Sequence, residues 1–90
     1  MKKPSDRLIS ILKSKLNRYG RPGEYYYGGH LTYYEVKILH QYFKLKLDRR
    51  DYNSVKYCTD KLEKGENGRL WFYFHREGNK KVFKELGLDE

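Results

Sequence analysis

The chain has 90 residues, enough for one domain spanning 1–90, and a formal net charge of +8 from 20 Lys and Arg against 12 Asp and Glu. Ten Tyr and an aromatic content of 17% supply large rings for a small core, so the composition is not that of a disordered chain despite 36% charged side chains. No apolar run approaches the ~20 residues that span a bilayer, no apolar stretch follows the lysines of Met1-Lys2-Lys3-Pro4-Ser5, and the lone Cys58 excludes an internal disulfide, so a reducing, cytoplasmic setting is expected.

The first element reads as a helix from about Asp6 to Tyr19, with Ser5 as N-cap and Gly20 as its left-handed stop. Leu8, Ile9, Leu12 and Leu16 form one apolar stripe, which Ile11 widens. Arg21-Pro22-Gly23 is a break, and Glu24-Tyr25-Tyr26-Tyr27 reads as a short strand bounded by Gly28-Gly29. Leu31-Thr32-Tyr33-Tyr34-Glu35-Val36 is a full helix-start signature. Thr32 and Glu35 are spaced as a capping box, and Leu31 and Val36 as a hydrophobic staple. The helix it opens runs from Tyr33 to Phe43, with Val36, Leu39 and Tyr42 or Phe43 inward.

Lys44 to Leu47 is a connector, and Asp48 caps a third helix from Arg49 to Lys64 that Gly65 closes. Val55, Cys58, Thr59 and Leu62 make its inward stripe, with Asp51 or Tyr52 at the front. After the Glu66-Asn67-Gly68 loop, Arg69 to His75 is the clearest strand, with Leu70, Phe72 and Phe74 suited to a buried face. Arg76 to Asn79 reads as a turn and Lys80 to Lys84 as a returning strand with Val82 or Phe83 inward, leaving a tail from Glu85 that frays.

Two capped helix starts followed by a hairpin resemble the winged helix-turn-helix family. Small regulators of archaeal viruses are similar in size and layout. The resemblance implies an α+β fold of three helices, a short strand and a C-terminal β-hairpin wing. It also implies a transcriptional regulator that binds double-stranded DNA, as a homodimer, with no chemical step, cofactor, metal or small-molecule ligand. In that family the second helix of the motif enters the major groove. Steps of 100° turn Arg50, Asn53 and Tyr57 outward for base edges, flanked by Arg49, Lys56 and Lys61 for phosphates. The hairpin tip brings Arg76, Lys80 and Lys81 to the DNA backbone. The bland alternative is a solvated helix face with its arginines paired to Asp51 or Asp60.

Trp71 and Tyr73 fall on the strand face opposite Leu70 and Phe72. There they either stack on bases, as in single-strand binders, or lie beneath the first helix or the Tyr25–Tyr27 strand. The Tyr25–Tyr27 and Tyr33–Tyr34 cluster reads mainly as core filling, with a dimer interface or an aromatic platform as alternatives. His30, His40 and His75 lack metal-ligand spacing, and no P-loop or dinucleotide fingerprint is present. Two other classes fit the charge. One is an interaction protein, such as a viral inhibitor with a basic face; the other is a metal-independent ribonuclease using two of the histidines.

Overall fold

The computed structural model describes residues 4–88; Lys2 and Lys3, and the acidic Asp89 and Glu90, lie outside them. The protein is α+β. Its elements in chain order are α1 (Asp6–Lys15), β1 (Asn17–Arg21), β2 (Glu24–Thr32), α2 (Tyr33–Phe43), α3 (Arg49–Glu63), β3 (Arg69–His75) and α4 (Lys80–Glu85). The strands form one antiparallel sheet of order β1-β2-β3.

Ser5 caps α1 as expected, its side chain accepting the Leu8 amide at 3.2 Å. The helix ends four residues earlier than the apolar stripe suggested, because Asn17–Arg21 pairs with β2 in a hairpin. Pro22-Gly23 makes the turn, with Gly23 at φ 86°, which is the geometry of a type II turn. Gly20 does take a left-handed φ of 99°, inside β1 rather than at a helix stop. There a Cβ would stand 2.9 Å from the Glu24 carbonyl oxygen.

Nor does Gly28-Gly29 end the second strand. β2 continues through both glycines to Thr32, because the glycines are what let neighbours close on it. A Cβ on Gly29 would run into the Lys15 carbonyl oxygen at the end of α1. The capping box at α2 is complete: Thr32 Oγ1 accepts the Glu35 amide at 3.2 Å, and Glu35 Oε1 accepts the Thr32 amide at 2.8 Å. Lys15 Nζ adds a salt bridge to Glu35 at 2.9 Å. Lys44 closes α2 in the left-handed region, and Asp48 opens α3 by accepting the Asp51 amide at 3.0 Å.

The C-terminal hairpin wing is not formed. Seven residues of β3 pair with β2, and the segment after β3 turns off the sheet as α4. Two features drive this. Asn79, 1% exposed, accepts from Lys46 N at 2.7 Å and donates to the carbonyls of Lys46 and His75 at 2.9 and 2.8 Å, pinning the chain away from the strand direction. Val82, Phe83 and Leu86 then bury together at helical spacing, which a strand would split between two faces. Among the described residues the fold therefore has four helices, and its hairpin is β1–β2.

The core sits on one face of the sheet. Tyr27, Leu31, Phe72 and Phe74 from the strands meet Leu12 of α1, Val36, Leu39 and Phe43 of α2, Val55 and Cys58 of α3, and Val82 and Phe83 of α4. Tyr27 ties the chain end to this layer, its hydroxyl donating to the Leu88 carbonyl at 3.0 Å. The opposite sheet face contributes no core residue.

Candidate nucleic-acid interface

Register decides what that opposite face carries. Tyr19 pairs Tyr26, which pairs His75; Asn17 pairs Gly28, which pairs Tyr73; His30 pairs Trp71; Thr32 pairs Arg69. Cross-strand partners share a face. Six rings thus point away from the core, and each touches another. Tyr19 stacks on Tyr26 at 5.6 Å between centroids and meets Trp71 edge-on at 5.5 Å. His30 meets Trp71 at 5.5 Å, while Tyr26 meets both Tyr73 and His75 at 5.4 Å. Such centroid separations lie within the favourable range for aromatic pairs. Trp71 reaches diagonally across β2 to Tyr19 because Gly28 leaves the space for it. The helices do not cover this surface: Trp71 stays 41% and Tyr19 37% exposed.

Helix α3 packs into the core through Val55 and Cys58 and runs near β3. Near its start, the charges of Arg50, Asp51 and Asp48 reach Tyr73. Farther along, Tyr57 meets Tyr33 edge-on at 5.7 Å, and the Tyr33 amide is held by the Gly68 carbonyl just before β3. The two helix-start carboxyls have opposite electrostatics. The amides at the helix start hold the Asp48 carboxyl below its usual range. Burial, followed by a hydrogen bond to Asp48, pushes Asp51 up to about 6. Burial, then the Asp51 carboxyl, raises the Tyr73 phenol.

Comparison with protein-family models, curated proteins and solved structures finds no match.

The residues singled out from the sequence fall into two groups. Arg49, Arg50, Asn53 and Lys56 are exposed on α3, and Tyr57 is 49% exposed. Lys61 is half-buried, paired with Glu66 at 3.4 Å and standing 5.5 Å from the Tyr57 ring centre. These share α3, whose buried residues are Asp51, Val55 and Cys58. The second group is elsewhere. Arg76 is half-buried after β3, its guanidinium 5.6 Å from the Tyr25 ring on the core side, and Lys80 and Lys81 open α4. They form no wing tip. Lys81 instead lines a hollow of about 610 Å³ between α4 and the end of α2.

His30 and His75 lie on the same sheet face, four register steps apart along β3, about 14 Å. His40 is on α2 against Tyr52. The three imidazoles do not share one centre. Among the described residues, no group of three His, Cys, Asp or Glu is placed to hold a metal, and no helix is long and apolar enough to cross a membrane. The site residues that sequence reasoning missed are Tyr19, read as helical, and His30 and His75 as platform members. The available signal was Pro22-Gly23 between two Tyr-bearing segments, a hairpin pattern.

Proposed function

We propose that this protein is a binding domain, not an enzyme, that holds single-stranded nucleic acid across the outer sheet face. The single observation that carries the reading is the connected series of six rings on the sheet face away from the core, with Tyr19, His30, Trp71 and His75 exposed and Tyr26 and Tyr73 half-buried, on a domain of net charge +8. Every base has a π-face, so exposed Tyr and Trp rings on a sheet stack unpaired bases at roughly 1–3 kcal/mol each. Arg21 and Arg69 lie at the rims of the face, where a sugar-phosphate backbone leaving the platform would pass. The test is titration of a labelled single strand, followed by Trp71 emission, at several salt concentrations. Quenching on binding is expected, with a log–log salt slope of roughly −0.7 per phosphate contacted. Unchanged emission at saturation, or a flat salt response, counts against the sheet face.

A second reading keeps the regulator role on duplex DNA. It is favoured by the exposure of Arg49, Arg50, Asn53, Lys56 and Tyr57 on one side of α3. It lacks the hairpin wing that the winged-helix resemblance implied. Selection of one duplex sequence from a random pool, relaxed by Arg50→Ala or Asn53→Ala, would favour it over the single-strand reading.

A further inference from the structure

We propose that the outer edge of β3 pairs antiparallel with the same edge of a second copy of this chain, about a two-fold axis at Phe72. The two three-stranded sheets then join into one. The inference stands apart from the single-strand reading, and its test needs no nucleic acid.

Hydrogen-bond parity identifies the peptide groups that this edge offers. Just beyond the two ends of β3, the Arg76 amide donates to the Tyr25 carbonyl at 3.2 Å and the Tyr33 amide to the Gly68 carbonyl at 3.0 Å. Hydrogen-bonded pairs alternate along an antiparallel ladder. Leu70, Phe72 and Phe74 therefore spend their peptide groups on β2, and Arg69, Trp71, Tyr73 and His75 turn theirs the other way. No strand lies on that side of β3. Among the described residues, the hydrogen bond that reaches this edge runs from Asn79 Nδ2 to the His75 carbonyl at 2.8 Å. Arg69, Trp71 and His75 are exposed.

Composition separates the two margins of the sheet. Soluble proteins blunt an edge strand with charge, short length or a bend, and an edge without such devices is a template for another strand. β1 has five residues, the left-handed Gly20, Arg18 and Arg21. β3 has seven residues and runs from Leu70 to Phe74 without a charge. It is also complementary to itself. With Phe72 on the axis, Arg69 comes opposite the partner's His75, Leu70 opposite the partner's Phe74, and Trp71 opposite the partner's Tyr73. The residues with outward peptide groups then face one another as the hydrogen-bonded pairs, about eight bonds in all. A slip of one residue would set them against peptide groups already committed to β2. Aromatic cross-strand pairs stabilise this register, and the exposed Glu77, two residues past His75, comes beside the partner's Arg69, so opposite charges meet at both ends. The ring faces of the two copies lie on one side, and a blunted β1 forms each outer margin, so pairing closes at two.

The experiment is sedimentation velocity of the full chain from low micromolar to submillimolar concentration. A reversible monomer–dimer equilibrium with no larger species is expected. Tyr73→Pro removes an edge N–H without touching the ladder to β2, and an edge strand tolerates Pro. It should weaken dimerisation at least ~10-fold, because the symmetric pair loses two hydrogen bonds. Arg69→Glu should weaken it by roughly 3- to 10-fold, and Arg69→Glu/Glu77→Arg should restore it. A chain that stays monomeric at every concentration overturns the inference, as does growth past the dimer. So does a Tyr73→Pro variant that is folded by circular dichroism and dimerises as tightly as the parent. If Tyr73→Pro does not fold, the charge exchange decides: no weakening by Arg69→Glu, or no recovery in the double variant, overturns the pairing.

Discussion

The Trp71 indole stands over Gly28 so closely that a Cβ on residue 28 would lie 2.9 Å from its Cζ2 atom. The same Cβ would lie 2.9 Å from the Tyr73 Cβ, so two of the six rings depend on the bare backbone at that point. Replacing Gly28 with Val should expel Trp71 from its place against Tyr19. The strand itself tolerates a β-branched residue. The expected result is a red shift of Trp emission and a single-strand affinity lower by roughly 5- to 50-fold, similar to Trp71→Ala. An unaltered spectrum with unaltered affinity would show that the ring's position is immaterial.

One residue farther along, the consequence falls on folding instead. Gly29 faces the core, where its missing side chain lets the last carbonyl of α1 approach β2. Gly29→Ala forces the helix end and the strand apart. The expected cost is about 3 kcal/mol, read as a lowered midpoint in chemical denaturation. A change below ~0.5 kcal/mol would mean that α1 can shift freely.

Glu35 and Asp51 should give stability opposite pH dependences. Burial disfavours the Glu35 carboxylate, but the hydrogen bonds and charge of Lys15 and the Thr32 amide outweigh it, and its pKa lies below 4.5. Its contribution is present above pH 4.5 and fades as pH falls through the lower folded value. Asp51 rises from 3.8 to about 6, so folding prefers it protonated, and that preference is lost as pH climbs from 3.8 through about 6. Asp51→Asn should therefore raise stability at pH 7 by on the order of 1 kcal/mol and leave it unchanged at pH 3. Glu35→Gln should lower it at pH 7 by about 1–2 kcal/mol and flatten the acid limb. Thermal melts across pH separate the two.

Asn79 joins three segments through its side chain: the connector at Lys46, the end of β3 at His75 and the start of α4. Asn79→Ala leaves a buried amide and two carbonyls with fewer partners, at an expected cost of about 2–3 kcal/mol. An unchanged denaturant slope would show that the folded and unfolded states are otherwise the same. Asn79→Asp keeps the acceptor for Lys46 N but loses both donors, so it should not restore stability.

Where local chemistry decides the outcome, the sequence was legible. The caps at Ser5, Thr32 and Asp48 stand as read, α2 and β3 have the expected bounds, and Leu70, Phe72 and Phe74 face the core side. Where a distant segment decides, it was not. Residues 17–19 continue the helical pattern of α1, and only pairing with β2 makes them a strand. Gly28-Gly29 looks like a break until Trp71 and the end of α1 close over it. Lys80–Glu85 is too short for periodicity to separate helix from strand, and the deciding contact, Asn79 to Lys46, spans 33 residues. The candidate site divides the same way. The α3 residues follow from one helix's own period, while the ring face needs three strands in register.

The free edge of β1 bears on how this protein coexists with its own copies. Uncovered rings and an unpaired strand would together invite sheet-to-sheet growth. β1 is only five residues long, bends at Gly20 and presents Arg18 and Arg21. A second molecule arriving along that margin would meet like charge and a curved ladder, so crowding in a concentrated solution should not extend the sheet and the rings stay available to a ligand.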